Sequence, residues 1–444
     1  MSDTNNAQEL SYPDALIRLT STVLKFRVPS MSEKSKHVDF LRSFHTVGTH
    51  PTTQTVLKSA NSSRDYLFKA LSSSKTPHKT VLNAAQRYIL PLHQILVACR
   101  VQPESARLDE RLIFEWSTGI EEKHRYFKSE AIMYELVMTI ATEGLAHAGI
   151  GADECLDGDF AASNRSFKKA AGVFDFLYKE QLPQWHAKGG NTQDDALPAE
   201  AKIGVCEAYR VLFMGISQQM AMAKVLMKDG TPSWSLCAKL SLGIAEQFEE
   251  HVSIMRSKAA STKSRIDSNQ FLLMAFQIEV QRALSFYFHA RHYWESALEY
   301  GLAIGMLSKA IRMLQTRVTP SGRGLPEISS KSPLKVIESD LNEVKAHMNN
   351  LLESWEKDNS RVYFEKVITN IPSDKELAQG VRLGSPDPYI LETADPVALI
   401  LPDDNDHIDS NDSNRSSGGG GQEQHCEESD YELAKRLQEQ LNAE

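Results

Sequence analysis

The sequence predicts an all-α protein, a curved solenoid of packed helices with a tetratricopeptide-like core, and three features carry that expectation. Proline is absent from the 79 residues between Pro103 and Pro183 and from the 87 between Pro232 and Pro320. Because proline removes a helical hydrogen bond and clashes with the preceding turn, such gaps suit long helices. Apolar residues recur at helical intervals through both gaps, and period-two alternation is scarce.

The helices follow in order. Ile132, Leu136, Ile140 and Ala141, then Leu145 and Ala148, share one stripe. Ala208, Leu212, Ile216 and Ala223 form the next, and Leu236, Leu240, Ile244, Phe248 and Val252 another. Leu273, Phe276, Val280, Ala283 and Leu284 begin a fourth, and Ala297, Tyr300, Ile304, Leu307 and Ile311 make the last strong one. Breaks are expected at Gly149-Ile-Gly151, Lys188–Asn191, Asp229–Pro232 and Pro320–Pro326 on composition. The first hundred residues carry the weakest pattern, and a small β element is expected there. Between Trp294 and Ala310, small residues alternate with bulky ones, as in the second helix of a tetratricopeptide-type hairpin, where they let helices approach closely. No clean repeat period accompanies them.

The chain has 444 residues and a formal charge of −9, with 49 Lys+Arg against 58 Asp+Glu. Twelve acidic and three basic residues lie between Pro402 and Glu444, so the body is neutral and the tail holds the excess. A neutral body argues against a nucleic-acid binder, which needs cationic surface to displace counterions. Cys99, Cys155, Cys206, Cys237 and Cys426 are scattered and form no C-x-x-C pair, so neither a disulfide framework nor a zinc cage is expected, and a cytoplasmic setting is. Met1-Ser-Asp-Thr-Asn-Asn lacks the pattern of a signal peptide, no apolar run is long enough to span a bilayer, and no prenylation box ends the chain.

Three regions follow: a helical body over 1–401 ending in an extended strap from Gly384, an acidic linker over 402–428, and an amphipathic helix over 429–444. The linker, with its Asp/Asn/Ser run and Gly418–Gly421, has too little apolar surface to offset ordering entropy and is expected to be disordered. Ser429-Asp-Tyr-Glu432 reads as a capping box, after which Leu433, Ala434, Leu437 and Leu441 share a face. This run resembles the inverted type of ubiquitin-interacting helix. That resemblance implies contacts to ubiquitin through Leu433, Ala434 and Leu437, with Asp430 facing a basic rim. The alternative is a terminal helix packing back on the body.

No catalytic group, metal site or cofactor is expected. His289 and His292 are spaced i, i+3 without an H-E-x-x-H pattern or a third ligand. Cys155 follows Asp153 and Glu154, and carboxylates raise a thiol's pKa, the reverse of what a nucleophile needs. The glycine run lacks a phosphate-loop continuation, and there is no G-x-S-x-G. Glu121-Glu122 and Glu249-Glu250 read as solvated helix faces.

Four segments in order resemble a known family. Arg165-Ser-Phe-Lys-Lys-Ala-Ala-Gly-Val-Phe-Asp-Phe-Leu-Tyr-Lys-Glu-Gln-Leu-Pro183 is similar to the BRO-one domain helix that holds A-A-G-x-F before a Leu-Pro stop. Ile216–Lys224 resembles that domain's A-Q-A-Q-E helix, Ala297–Ala310 its G-x-A-I-x-x-L helix, and Asp358–Val367 its closing D-N-x-x-I-Y segment. Order and spacing hold from roughly residue 100 to 400. The chain looks most like the short, BROX-like branch, without the coiled-coil arms and proline-rich tail of ALIX-like members.

The resemblance implies a curved helical solenoid whose concave apolar groove accepts the C-terminal amphipathic helix of an ESCRT-III subunit, a charged multivesicular body protein. Carried over position by position, groove residues fall on Leu236 and Leu240, and a third on Ala221 between Met220 and Met222. Ile304 and Leu307 complete the wall. Tyr363 matches a family tyrosine and is expected to be buried in the closing segment. The function implied is a non-enzymatic adaptor of endosomal sorting, cytoplasmic and drawn to endosomal membranes through its partners alone, with a weak ubiquitin contact from the tail. The alternative from the residues themselves is a tetratricopeptide-like scaffold for an unrelated peptide or for self-association.

Overall fold

The computed structural model describes residues 12–44, 51–101, 111–187, 196–228, 230–317, 324–372 and 379–397. These lie in the first of the chain's two units, 1–400; the second, 401–444, holds the expected linker and terminal helix and lies outside the described residues.

The helices stack in sequence order. α1 (Tyr12–Thr20) and the short α2 (Phe40–Ser43) precede α3 (Pro51–Leu71) and α4 (His78–Val101). After β1 (Phe114–Trp116) and β2 (Phe127–Ser129) come α5 (Ile132–Leu156), α6 (Phe160–Phe176) and the short α7 (Leu182–Ala187). Then follow α8 (Ile203–Leu226), α9 (Trp234–Ser257), the short α10 (Ala260–Lys263), α11 (Ser268–His292), α12 (Tyr300–Met313) and α13 (Glu338–Asp358). Each long helix packs on the next: α3 on α4, α4 on α5, α5 on α6, α6 on α8, α8 on α9, α9 on α11, α11 on α12 and α12 on α13. α1 packs on α13, where Arg18 pairs with Asp340 at 3.0 Å and the Tyr12 ring stacks on His347.

Several expectations are corrected. Gly149-Ile-Gly151 does not end a helix; α5 runs on to Leu156. The glycines serve packing, because a Cβ on Gly149 would strike the His78 ring and one on Gly151 would strike Phe167. The β element lies beyond the first hundred residues, as an antiparallel pair with Phe114 opposite Ser129 and Trp116 opposite Phe127. Met31 bridges to Trp116. Leu182-Pro183 is not a stop. Pro183 has no N–H for the carbonyl of Lys179, and the chain re-registers through a π turn, Leu177–Gln181, into α7. α12 begins only at Tyr300, because the π turn Tyr293–Ala297 and Leu298 at φ 59° interrupt the expected run.

The core is continuous. α5, predominantly apolar, is buried along most of its length between α4, α6 and β1. Its one fully buried carboxylate, Glu135, receives hydrogen bonds from Arg64, Tyr88 and the Trp116 indole. Glu121, expected on a solvated helix face, is buried instead. It pairs with Arg265 and accepts a hydrogen bond from the Ala199 amide at 3.0 Å. A carboxylate with that many donors tolerates loss of water.

Candidate partner-docking face

After α13 the chain turns through a third π turn, Asn359–Tyr363, and Phe364 at φ 57°. Its described residues beyond that point, 365–372 and 379–397, have no regular structure and lie back across the stack. Over α12, the Ile368 amide donates to Gly301 O at 3.2 Å, and Lys309 Nζ donates to Pro372 O at 2.7 Å. Over α9 and α8, the Val381 amide donates to Lys239 O at 3.0 Å. Gln218 Nε2 reaches Val381 O at 2.7 Å while its Oε1 accepts from the Leu383 amide at 3.0 Å. Further on, the Asp387 amide meets Lys168 O on α6, Tyr389 Oη meets Glu143 on α5, and Glu392 O meets His93 on α4.

Glycines make this seam. A Cβ on Gly172 would collide with Asp387 O, on Gly243 with Val381 O, on Gly301 with Lys366 O and on Gly305 with Ile368 O. The small residues at Gly301 and Gly305 therefore admit a crossing backbone rather than a second helix.

Beside the seam lies a shelf. On α9, Leu236 and Gly243 are seven residues apart, two helical turns, and point the same way to within about 20°. Leu236 thus shares the strap-facing side of α9, and it is 43% exposed. On α8, Gln218, Ala221 and Val225 follow at i, i+3 and i+7, so half-buried Ala221 and Val225 continue the same face. Gln218 Nε2 also reaches Leu240 O at 2.9 Å, which ties the two helices face to face. Leu383 of the strap, 37% exposed, borders the shelf, and the exposed Lys224 and Lys239 flank it.

The expected groove residues separate here. Leu236 and Ala221 are accessible. Leu240 is 2% exposed, and Met220, Met222, Ile304 and Leu307 are likewise sealed in the core. One helical turn is enough to move a side chain from the rim to the interior when neighbouring helices flank it, and these five are packing residues. Val225, half-buried, has the spacing of the α8 face and was not among the expected groove residues.

The remaining candidates do not assemble into a reacting site. His289 Nε2 is buried without a hydrogen-bond partner, and burial, helped by His292 and Lys239, pushes its pKa down to about 4. Burial, not the adjacent carboxylates, pushes the Cys155 thiol up to about 11, and its Sγ donates to Ser21 O. Tyr363 is not buried. It is 39% exposed, stacked on Tyr300 with Trp294 at its edge, and Trp294 in turn stacks on Trp355 of α13. Among the described residues no group of three or more His, Cys, Asp or Glu is placed to hold a metal ion. Nor, among the described residues, is any helix long and apolar enough to cross a membrane. Asp430, Leu433, Ala434 and Leu437 lie outside the described residues.

The described residues thus form a helix stack sewn along one face by its own backbone, with an apolar shelf beside the seam. The chain belongs to the BRO1-like domain family, whose model matches residues 34–398. Solved structures agree on the fold. An ALIX BRO1 domain in complex with CHMP4C superposes with a TM-score of 0.62 at 14% identity, covering 85% of this chain and 99% of that one. ALIX in complex with a late domain gives 0.62 at 15% identity, over 87% of this chain and 52% of the other. A Bro1 domain described for endosomal targeting gives 0.60 at 15% identity, over 83% and 93%. No curated protein matches the sequence.

Proposed function

We propose that this protein is a non-enzymatic, ESCRT-associated adaptor whose shelf receives the C-terminal amphipathic helix of an ESCRT-III subunit. The observation that carries the reading is the exposed Leu236 on a BRO1-like stack, set beside half-buried Ala221 and Val225. An amphipathic helix buries its apolar stripe against such a strip, and the lysines beside it favour an acidic flank on the partner. The solved complex of an ALIX BRO1 domain with CHMP4C supports this class of partner. Membrane recruitment through partners places the adaptor at endosomes, in keeping with the endosomal targeting described for a Bro1 domain neighbour. The segment 429–444 adds a weak ubiquitin contact through Leu433, Ala434 and Leu437 with Asp430 at the rim, so a membrane that carries both ESCRT-III and ubiquitylated cargo engages the adaptor at two points.

The test is a pull-down with ESCRT-III tail peptides. Leu236→Asp is expected to abolish capture and leave the helical circular-dichroism spectrum unchanged; undiminished capture overturns the shelf. Deletion of 429–444 is expected to remove ubiquitin-induced chemical shifts, and their absence from the intact chain refutes the tail contact.

A further inference from the structure

A cleft of about 510 Å³ opens between residues 25–30, the turn joining α3 to α4, the end of β1 and the last turns of α5. It shares no residue with the seam or the shelf. Its ionisable lining is Lys25, Arg27, His78, His124 and Asp153. Two permanent cations and two imidazoles thus face one carboxylate, and that carboxylate is already engaged, since His78 Nδ1 lies 3.0 Å from Asp153 Oδ2.

The cleft is built rather than incidental. Gly149 leaves bare backbone on α5 for the His78 ring to lie against, where any Cβ would overlap it. Asp153 holds the ring by one nitrogen, which turns the other away from the carboxylate. Across the cleft, His124 Nε2 meets Ser30 Oγ at 3.3 Å, and Ser30 Oγ meets Ser117 Oγ at 2.9 Å. Arg27 is steadied by one bond, Nη2 to Glu121 O at 2.6 Å, and keeps its other donors. Lys25 is exposed and forms no ion pair among the described residues. Hydroxyls of Ser73, Ser74 and Thr76 line the opposite rim.

From this arrangement we infer that the cleft binds a small phosphorylated polyol, an inositol phosphate taken either free or as a lipid headgroup. Cations and imidazoles converge on a doubly charged phosphate, and hydroxyls that both donate and accept suit the ring hydroxyls of a polyol. The volume falls within the ordinary range for small-molecule sites, about 300–1,000 Å³. This inference is independent of the helix-binding reading.

The experiment uses the full chain in two arms: calorimetry with inositol monophosphate, and flotation with phosphatidylcholine vesicles carrying a phosphatidylinositol phosphate. Phosphatidylserine vesicles of matched charge are the control. Lys25→Ala and His124→Ala, both at exposed positions, are each expected to weaken binding about tenfold. Lys69→Ala, on the basic surface formed with Lys58 and Arg87, is expected to change nothing. Binding of the soluble phosphate alone identifies a free ligand, and capture by the phosphoinositide vesicles alone identifies a headgroup; either supports the site if Lys25→Ala weakens it. Failure of both arms, equal capture by phosphatidylserine, or equal loss from Lys69→Ala overturns it.

Discussion

Arg64 of α3 and Glu135 of α5, 71 residues apart in sequence, form an ion pair almost wholly removed from water, with Nε 2.8 Å from Oε1. The guanidinium also donates to Ser35 O at 2.5 Å and Ser35 Oγ at 2.6 Å, while Glu135 accepts from Tyr88 and Trp116. The two charges are enclosed in donors and acceptors, so removing either strands the other. Arg64→Met is expected to cost about 3–5 kcal/mol in urea unfolding, and more than Arg64→Met combined with Glu135→Gln. A double variant at least as unstable as the single one refutes the coupling.

The rim and interior leucines of α9 are expected to part company. Leu240→Ala creates a void in a sealed core and costs about 2–5 kcal/mol, whereas Leu236→Ala stays within about 1 kcal/mol. Thermal melts of the two variants decide it, and similar losses would mean that Leu236 is also part of the packing.

The seam is expected to be intolerant of a single methyl group. Gly243→Ala drives a Cβ into Val381 O, so either the strap lifts or α9 shifts. Limited proteolysis is expected to show faster cutting within 379–397, with stability down by about 1–3 kcal/mol. Unaltered digestion would show that the strap yields without releasing.

Glu200 makes stability depend on pH. It is fully buried, accepting from Thr118 Oγ1 at 2.8 Å and the Gly119 amide at 2.6 Å, and burial pushes its carboxyl up to about 7 from 4.5. The folded chain therefore holds a proton that the unfolded chain releases. The associated stability is complete below about 4.5 and is lost as pH rises through about 7. His147 and His251, pushed down to about 4 by burial, act oppositely, losing stability as pH falls from 6.5 through about 4. Glu200→Gln isolates the first effect. Wild type is expected to lose about 3 kcal/mol relative to the variant across that window, and parallel curves would refute it.

Helices were legible where one stripe of apolar residues ran through a proline-free stretch, as in α5, α8, α9 and α11. α13 escaped notice because its buried apolar residues, Leu341, Val344, Met348 and Trp355, are sparse among polar neighbours. Leu236 and Leu240 have equivalent spacing, and nothing local distinguishes them. Which one is covered depends on the helices and strap packed around α9. Glu121 read as a surface charge because its partner, Arg265, is 144 residues away. Glycine was the most misleading signal. Gly149 and Gly151 looked like a break and Gly301 and Gly305 like helix–helix contacts, yet each marks where another part of the chain comes up against bare backbone.

The strap is synthesised after every helix it crosses, from α12 to α4. Until those last residues emerge, the bare backbone at Gly172, Gly243, Gly301 and Gly305 stays open on a nascent stack that is otherwise complete. Only a correctly spaced set of helices presents all four glycines to the strap, so the seam can close fully only on a stack in native register.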